Sequence, residues 1–333
     1  MTTRVHRAPG AGCAWAGVTG TAAVVRGTVR MNGRMIVQLC AFAAGLPVVA
    51  RAQEREVKTY STGTPEAKLV LYYSSSVAFS PLGVPFGVER PATTTGVADG
   101  GAPSRVELSV EISYLPPLSA EQRTAASDKP EATNLAPIFP RPRLSARLPG
   151  GFGLELSWIP PLRVFDVKAN LFAGALSYSF ALPSRFSLVP RVSVLAGRVE
   201  GPITCNSDMA SGTDVALARY YSFVCYGNDS RDYFEPRHLS GELMAAHTST
   251  SGRWESYLTA GARAERSQFD VGVIREDGSR DPDQPILEVE ATRAYGAVGT
   301  SWFGIPRTRL AAELYYAPGS VFTGRVLAGV RLW

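Results

Sequence analysis

Between positions 105 and 114 the chain reads RVELSVEISY, and two kinds of side chain alternate without a break. Arg105, Glu107, Ser109, Glu111 and Ser113 fall on one side of an extended chain. Val106, Leu108, Val110, Ile112 and Tyr114 fall on the other, because successive strand side chains point to opposite faces. The same period recurs to the C-terminus. In RLSARL, Leu144, Ala146 and Leu148 oppose Arg143, Ser145 and Arg147. After Pro149-Gly150-Gly151, GLELSW sets Leu154, Leu156 and Trp158 against Glu155 and Ser157, which predicts a hairpin. Residues 164–182 start with Phe165, Val167, Ala169 and Leu171 on the apolar side, then change phase so that Leu176, Tyr178, Phe180 and Leu182 take over. That slip predicts a β-bulge near Gly174. Further strands are predicted over 185–198, 236–247, 253–269, 286–303, 307–316 and 321–333, with KLVLYYSSSVAF (68–79) as one more candidate. Long helical periodicity is absent, so the chain is all-β with 10–12 antiparallel strands, 14 remaining open.

The connections alternate in length. Tight turns fall at 149–151, 182–185, 248–252 and 304–308, long polar links at 116–140, 199–235 and 270–285. Short turns at one end and long loops at the other are the habit of a membrane β-barrel. If the last strand ends at the short-turn rim, every long link lies at the opposite end. The links 160–163 and 317–320 are short exceptions there.

A two-faced strand also suits a soluble sandwich, so the make-up of the apolar sides has to decide. Leu258, Ala260, Ala262 and Ala264 share one dry side. That is thin material for an interdigitated core but sufficient against fluid lipid. Trp158, Trp254, Trp302, Tyr315, Tyr316 and Trp333 fall near strand ends, where interfacial girdles form. No uninterrupted apolar run approaches 18 residues, which excludes helical spans.

The N-terminal region alters the charge argument. MNGRMIVQLCAFAAGLPVVARAQ carries Arg34, a short apolar run over 35–49 and Ala50-Arg51-Ala52, the pattern of a cleaved export signal over 31–52. Residues 1–30 read as an over-extended start, and 53–103 as a periplasmic segment with one or more candidate strands. The formal charge of the 333-residue chain is +5. The first 52 residues hold six arginines and no acid, leaving 28 basic against 29 acidic residues beyond them. The basic balance belongs to the leader, and no nucleic-acid partner follows from it. Of four cysteines, Cys13 and Cys40 lie in the leader; Cys205 and Cys225 remain, an even pair that predicts one disulfide.

With an export signal, alternating strands and a terminal Trp333, residues 104–333 resemble the Gram-negative outer-membrane β-barrel proteins. More narrowly, PRPRLSARLPGGFGLELSWIPPLRVFDVKANLFAGALSY (140–178) is similar to barrels of the fatty-acid-transporter type. The resemblance implies insertion into outer-membrane lipid by the barrel-assembly machinery.

Within such a barrel the polar sides face the lumen. The lumen candidates are Arg105, Glu107, Glu111, Arg143, Arg147, Glu155, Arg263, Glu265, Glu288, Glu290, Arg309 and Glu313. Both signs occur in similar numbers, which predicts interlocking ion pairs and a filled or very narrow lumen rather than an ion-selective ring. His238, Ser240 and Glu242 share a strand face, yet spacings of roughly 7 Å are too long for a nucleophile and its base. Asp277, Asp281 and Asp283 could supply oxygen ligands but lack EF-hand spacing, and Asn228-Asp229-Ser230 is a chance-grade sequon. No cofactor motif appears. The expected role is structural, adhesive or ligand-binding through the disulfide-closed loop 199–235. Passive transport of small or hydrophobic solutes is the alternative, and an outer-membrane hydrolase comes third.

Overall fold

The computed structural model describes residues 56–83, 106–118, 137–148, 151–164, 166–207, 225–282, 284, 286–319 and 321–332. The expected leader, Arg105, Phe165, Asp283 and Trp333 lie outside the described residues.

Ten antiparallel strands build one wall. They are β2 (Val106–Tyr114), β3 (Ile138–Arg147), β4 (Phe152–Ile159), β6 (Val167–Tyr178), β8 (Phe186–Gly201), β9 (Asp232–Thr248), β10 (Trp254–Asp270), β11 (Ile286–Trp302), β12 (Thr308–Ala317) and β13 (Val321–Arg331). Consecutive wall strands pair, and β13 pairs back onto β2 with Val326 opposite Ile112, so the sheet closes on itself. Closure removes the unpaired edges that hydrocarbon cannot satisfy. Two-residue strands β5 (Arg163–Val164) and β7 (Phe180–Ala181) sit at opposite rims. The predicted turns all fall at one rim, where Gly252 takes the positive φ of 67° that the β9–β10 turn requires.

The wall is uneven in height. β8 to β11 run 16–17 residues, whereas β12, β13, β2, β3 and β4 run 8–11. Seventeen residues span roughly 56 Å, well beyond the ~9–11 residues a tilted strand needs to cross a bilayer. The tall flank therefore rises past the membrane at the loop rim. Because β12 pairs only with Gly296–Trp302, the first half of β11 would present a bare edge on that side. β1 (Val57–Tyr60) pairs with it in parallel, from Val57 opposite Ile286 to Tyr60 opposite Val289.

Along the tall strands the two faces exchange character. On β10 the outer side reads Trp254, Ser256, Leu258, Ala260, Ala262, Ala264, and then Arg266, Gln268, Asp270. The apolar part covers roughly 33 Å of strand, about 25 Å of height at a ~40° tilt, the size of a hydrocarbon band. The inner side changes in the opposite sense, from Glu255, Thr259, Arg263 and Glu265 to Phe269. Above the membrane the flank encloses an apolar chamber lined by Val167, Ala169, Leu171, Val199, Phe234, Phe269 and Val289.

That chamber holds a helix, α1 (Pro65–Ser76). Thr64 caps it by accepting from the Ala67 N–H, Pro65 occupies the first turn and Glu66 sits beside the positive end of the dipole. Ala67, Val70 and Leu71 pack into the chamber, while Leu69 and Tyr72 pack against Tyr295, Tyr315 and Val321. Beyond α1, residues 77–82 descend the lumen as buried irregular chain.

Two expectations are corrected. Residues 68–79 form no strand: an apolar stretch following a Thr-Pro-Glu start, largely enclosed by the wall, becomes a helix. No bulge lies at Gly174 either, because β6 keeps unbroken register with both β4 and β8. The apparent slip records the change of inner lining, since Val167, Ala169 and Leu171 point inward at the helix while Phe172 and Leu176 point outward at lipid.

If hydrocarbon covers the lower outer face, Leu258→Arg near mid-band destabilises the barrel by about 2–4 kcal/mol. The same change at Ala264, one step below Arg266, costs less than about 1 kcal/mol. Urea unfolding in lipid vesicles, read by tryptophan fluorescence, measures both; equal costs would remove the membrane from the fold.

Candidate functional site

The lumen and the loop rim hold the unusual chemistry. In the lumen, Arg143 bridges two carboxylates, at 2.6 Å to Glu111 and 2.5 Å to Glu155. Arg191 pairs with Glu242 at 2.9 Å, Arg309 with Glu107 at 3.4 Å, and Arg325 with Glu313 at 3.5 Å. These guanidinium groups also capture the descending chain. Arg141 donates to the carbonyls of Val77 at 2.6 Å and Ala78 at 3.3 Å, Arg191 to Pro81 at 2.7 Å, Arg325 to Ala78 and Ser80 at 3.4 Å, and Arg309 to Leu82. Irregular backbone buried away from water must find such donors, and five-donor guanidinium forks can serve wall and plug together.

A second hub fastens α1. Ser75 Oγ accepts from Arg263 at 3.0 Å and from Arg293 at 3.2 Å, and Arg263 also donates to Tyr315 at 3.1 Å. Ser74 Oγ lies 2.7 Å from His238 Nε2 and donates to Glu265 Oε2. Ser74, which sequence reasoning missed, is thus the serine beside His238; Ser240 is not. Its partners lie 164 and 191 positions away, beyond the reach of any local pattern. With its hydrogen committed to Glu265, Ser74 accepts from the imidazole, the reverse of the polarity by which a base activates a nucleophile. The contact ties plug to wall.

Of the lumen candidates, Glu107, Glu111, Arg143, Glu155, Arg263, Glu265, Arg309 and Glu313 are buried on the inner face, and Arg147 is half-buried at the turn rim. Glu288 and Glu290 are corrected. Opposite Gln268 and Arg266 on the outer side of the tall flank, they pair with Arg266 at 3.0 and 3.3 Å. Their parity on β11 is that of outward-facing Val298, and so high on the flank the outer side meets water.

At the loop rim, Cys205 and Cys225 form a disulfide with Cα atoms 5.8 Å apart. Beneath it, buried Asp232 accepts from Ser230 Oγ at 2.7 Å, from the Gly272 N–H at 2.7 Å and from the Thr204 N–H. The sequon residues serve the fold, since Asn228 donates to the Arg275 carbonyl at 3.1 Å and Ser230 is buried. In the neighbouring loop Asp277 accepts from the Ser279 backbone and hydroxyl, which lowers its carboxyl pKa, and Asp281 pairs with Arg275 at 2.6 Å. Asp277 and Asp281 therefore serve this loop's own turns.

Next to the disulfide opens a polar cavity of about 780 Å³, lined by Arg163, Asp166, Glu200, Asp229, Arg231 and Tyr233 among others. Partial burial, and then the Asp166 carboxylate, push the Asp229 carboxyl up from its ordinary value. Tyr233 is clasped between the guanidinium groups of Arg198 and Arg280, 4.8 and 5.3 Å from its ring centre, so one wall of the cavity is fixed.

A closed polar-cored sheet with a hydrocarbon-sized apolar band settles the architecture. The chain is an antiparallel transmembrane β-barrel. No family model and no curated protein matches it. Solved barrels are similar in fold. The Yersinia pestis attachment invasion locus protein Ail, in complex with the heparin analogue sucrose octasulfate, is 11% identical at TM-score 0.27, over 68% of this chain and 96% of that one. The KdgM porin in complex with disordered oligogalacturonate is 13% identical at TM-score 0.29, over 68% and 99%. The Pseudomonas putida toluene transporter TodX is 11% identical at TM-score 0.29, over 84% and 73%. The narrower resemblance of 140–178 to fatty-acid-transporter barrels is not confirmed.

Removing Arg143 leaves two carboxylates buried without a counter-ion. Arg143→Ala is expected to cost about 3–5 kcal/mol, seen as a lower temperature for conversion of the compact gel band to the unfolded one. Cys225→Ser removes about 3 kcal/mol of loop restraint in the chain-entropy view. That change is expected to speed tryptic cleavage between residues 205 and 225 at least tenfold and to lower the band-conversion temperature.

Proposed function

We propose that this protein is a bacterial outer-membrane barrel that acts by adhesion or ligand binding through its loop rim, and that its lumen is closed to diffusion. The loop rim faces the cell exterior, as in barrels whose short turns lie in the periplasm. The observation that carries this reading is the occupied lumen: α1 fills the upper chamber, and the wall arginines hold residues 77–82 below it. A pore would need that segment out of the way, at the cost of leaving the guanidinium groups of Arg141, Arg191 and Arg309 in the lumen without their carbonyl acceptors. A hydrolase is disfavoured because Ser74 is buried and points its hydrogen at a carboxylate. Lipid and the barrel-assembly machinery remain the expected partners.

Planar-bilayer recording tests the reading. The wild-type protein is expected to show no discrete conductance. A double variant that removes two plug clamps, Arg141→Ala with Arg191→Ala, is expected to show intermittent openings. Steady conductance by the wild type would make the protein a passive channel instead.

A further inference from the structure

The cavity at the loop rim has an uncommon electrostatic make-up. Arg163, Arg231, Asp166, Glu200 and Asp229 all line it, yet among the described residues none of these five side chains makes an ion pair or hydrogen bond. Elsewhere on the same rim opposite charges do pair, as in Arg275–Asp281 at 2.6 Å and Arg280–Asp270 at 2.7 Å. Here both signs share one concave space without neutralising each other.

The backbone beneath them is held in place. Arg231 is held through its backbone N–H to the Gly272 carbonyl at 2.8 Å, directly before buried Asp232 with its three donors. Asp229 follows Asn228, which is fixed to the Arg275 carbonyl, and lies just beyond the disulfide-bonded Cys225. Glu200 stands near the end of β8, in register with Lys168 of β6 and Tyr233 of β9. Largely solvent-exposed charges of both signs, gathered in one recess over a held backbone, suit a ligand that brings both counter-charges.

We propose that this cavity binds a zwitterion, a molecule joining an ammonium group to a phosphate or carboxylate through a short linker. Arg163 and Arg231 take the anionic end, with the guanidinium fork suited to two oxygens. Asp166 and Asp229, which line the same cavity, take the ammonium with Glu200. A simple anion would meet three carboxylates, and a simple cation would meet two guanidinium groups. A volume of about 780 Å³ admits a head group or a free small molecule. The proposal rests on the binding role given above and specifies its ligand.

The test uses the full-length processed protein in a nonionic maltoside, titrated calorimetrically with phosphoethanolamine. Phosphoethanolamine is expected to bind at least tenfold more tightly than inorganic phosphate, ethylammonium or calcium alone. Arg163→Gln with Arg231→Gln, and separately Asp166→Asn with Asp229→Asn, are each expected to weaken it at least tenfold. Retention of the compact gel band shows that these variants still fold. Flotation with phosphatidylethanolamine vesicles, against phosphatidylglycerol vesicles, tells a lipid head group from a free zwitterion as the source. Equal binding of phosphate or calcium alone, unchanged affinity in both pairs of variants, or no binding at all would overturn the proposal. A non-conducting barrel that ignores the zwitterion defeats this inference alone, whereas a conducting wild type defeats the reading beneath it.

Discussion

Charge carried into the lumen must be neutralised within the lumen. The wall leaves no alternative, because its outer side is committed to hydrocarbon and a ten-strand barrel leaves little room for bulk water inside. Each buried arginine therefore serves more than one acceptor. Arg143 takes two carboxylates; Arg191, Arg309 and Arg325 each take one carboxylate and at least one carbonyl of the threaded chain. The wall alone would leave donors over, and the irregular segment alone would leave acceptors over. Each completes the other, which accounts for a loop-like stretch lying fully buried where irregular backbone is ordinarily excluded.

The same constraint explains why the sheet exchanges its faces partway up. Below the exchange the lumen is polar and the exterior apolar; above it the flank is an ordinary half-barrel with water outside and a greasy interior. α1 fills that upper interior and covers what would otherwise be exposed Phe234, Phe269 and Val289. The plug is thus held by two different forces: apolar burial in the chamber and charge-assisted hydrogen bonds below it.

Much of this was legible in the sequence. Strict alternation over 105–114 and 143–158 identified the wall and its lumen side, and turn spacing identified the rims. Cys205 and Cys225 were the pair to expect because no other cysteine lies beyond residue 52. What stayed hidden depends on the third dimension. A helix buried over most of its surface carries no clear amphipathic stripe, so the sequence of α1 reads as a strand. The inward turn of Val167, Ala169 and Leu171 looked like a bulge because an apolar side was equated with lipid. Glu288 and Glu290 were assigned to the lumen for the mirror-image reason: above the bilayer, a charged side chain faces out.

Function follows from where rigidity has been placed. A pore would keep its restraints in the wall and leave the lumen empty. Here the arginine clamps immobilise the lumen, and the disulfide with the Asp232 knot immobilises the rim. On the proposed reading the barrel is a pedestal, sunk in lipid at one end, with unpaired, water-exposed charges of both signs gathered in the recess near Cys205 and Cys225. Groups that are buried and paired have spent their binding capacity on the fold. Unpaired charges in a recess retain it, which is why the proposed recognition is placed at the rim and the lumen is given the part of a stiffener.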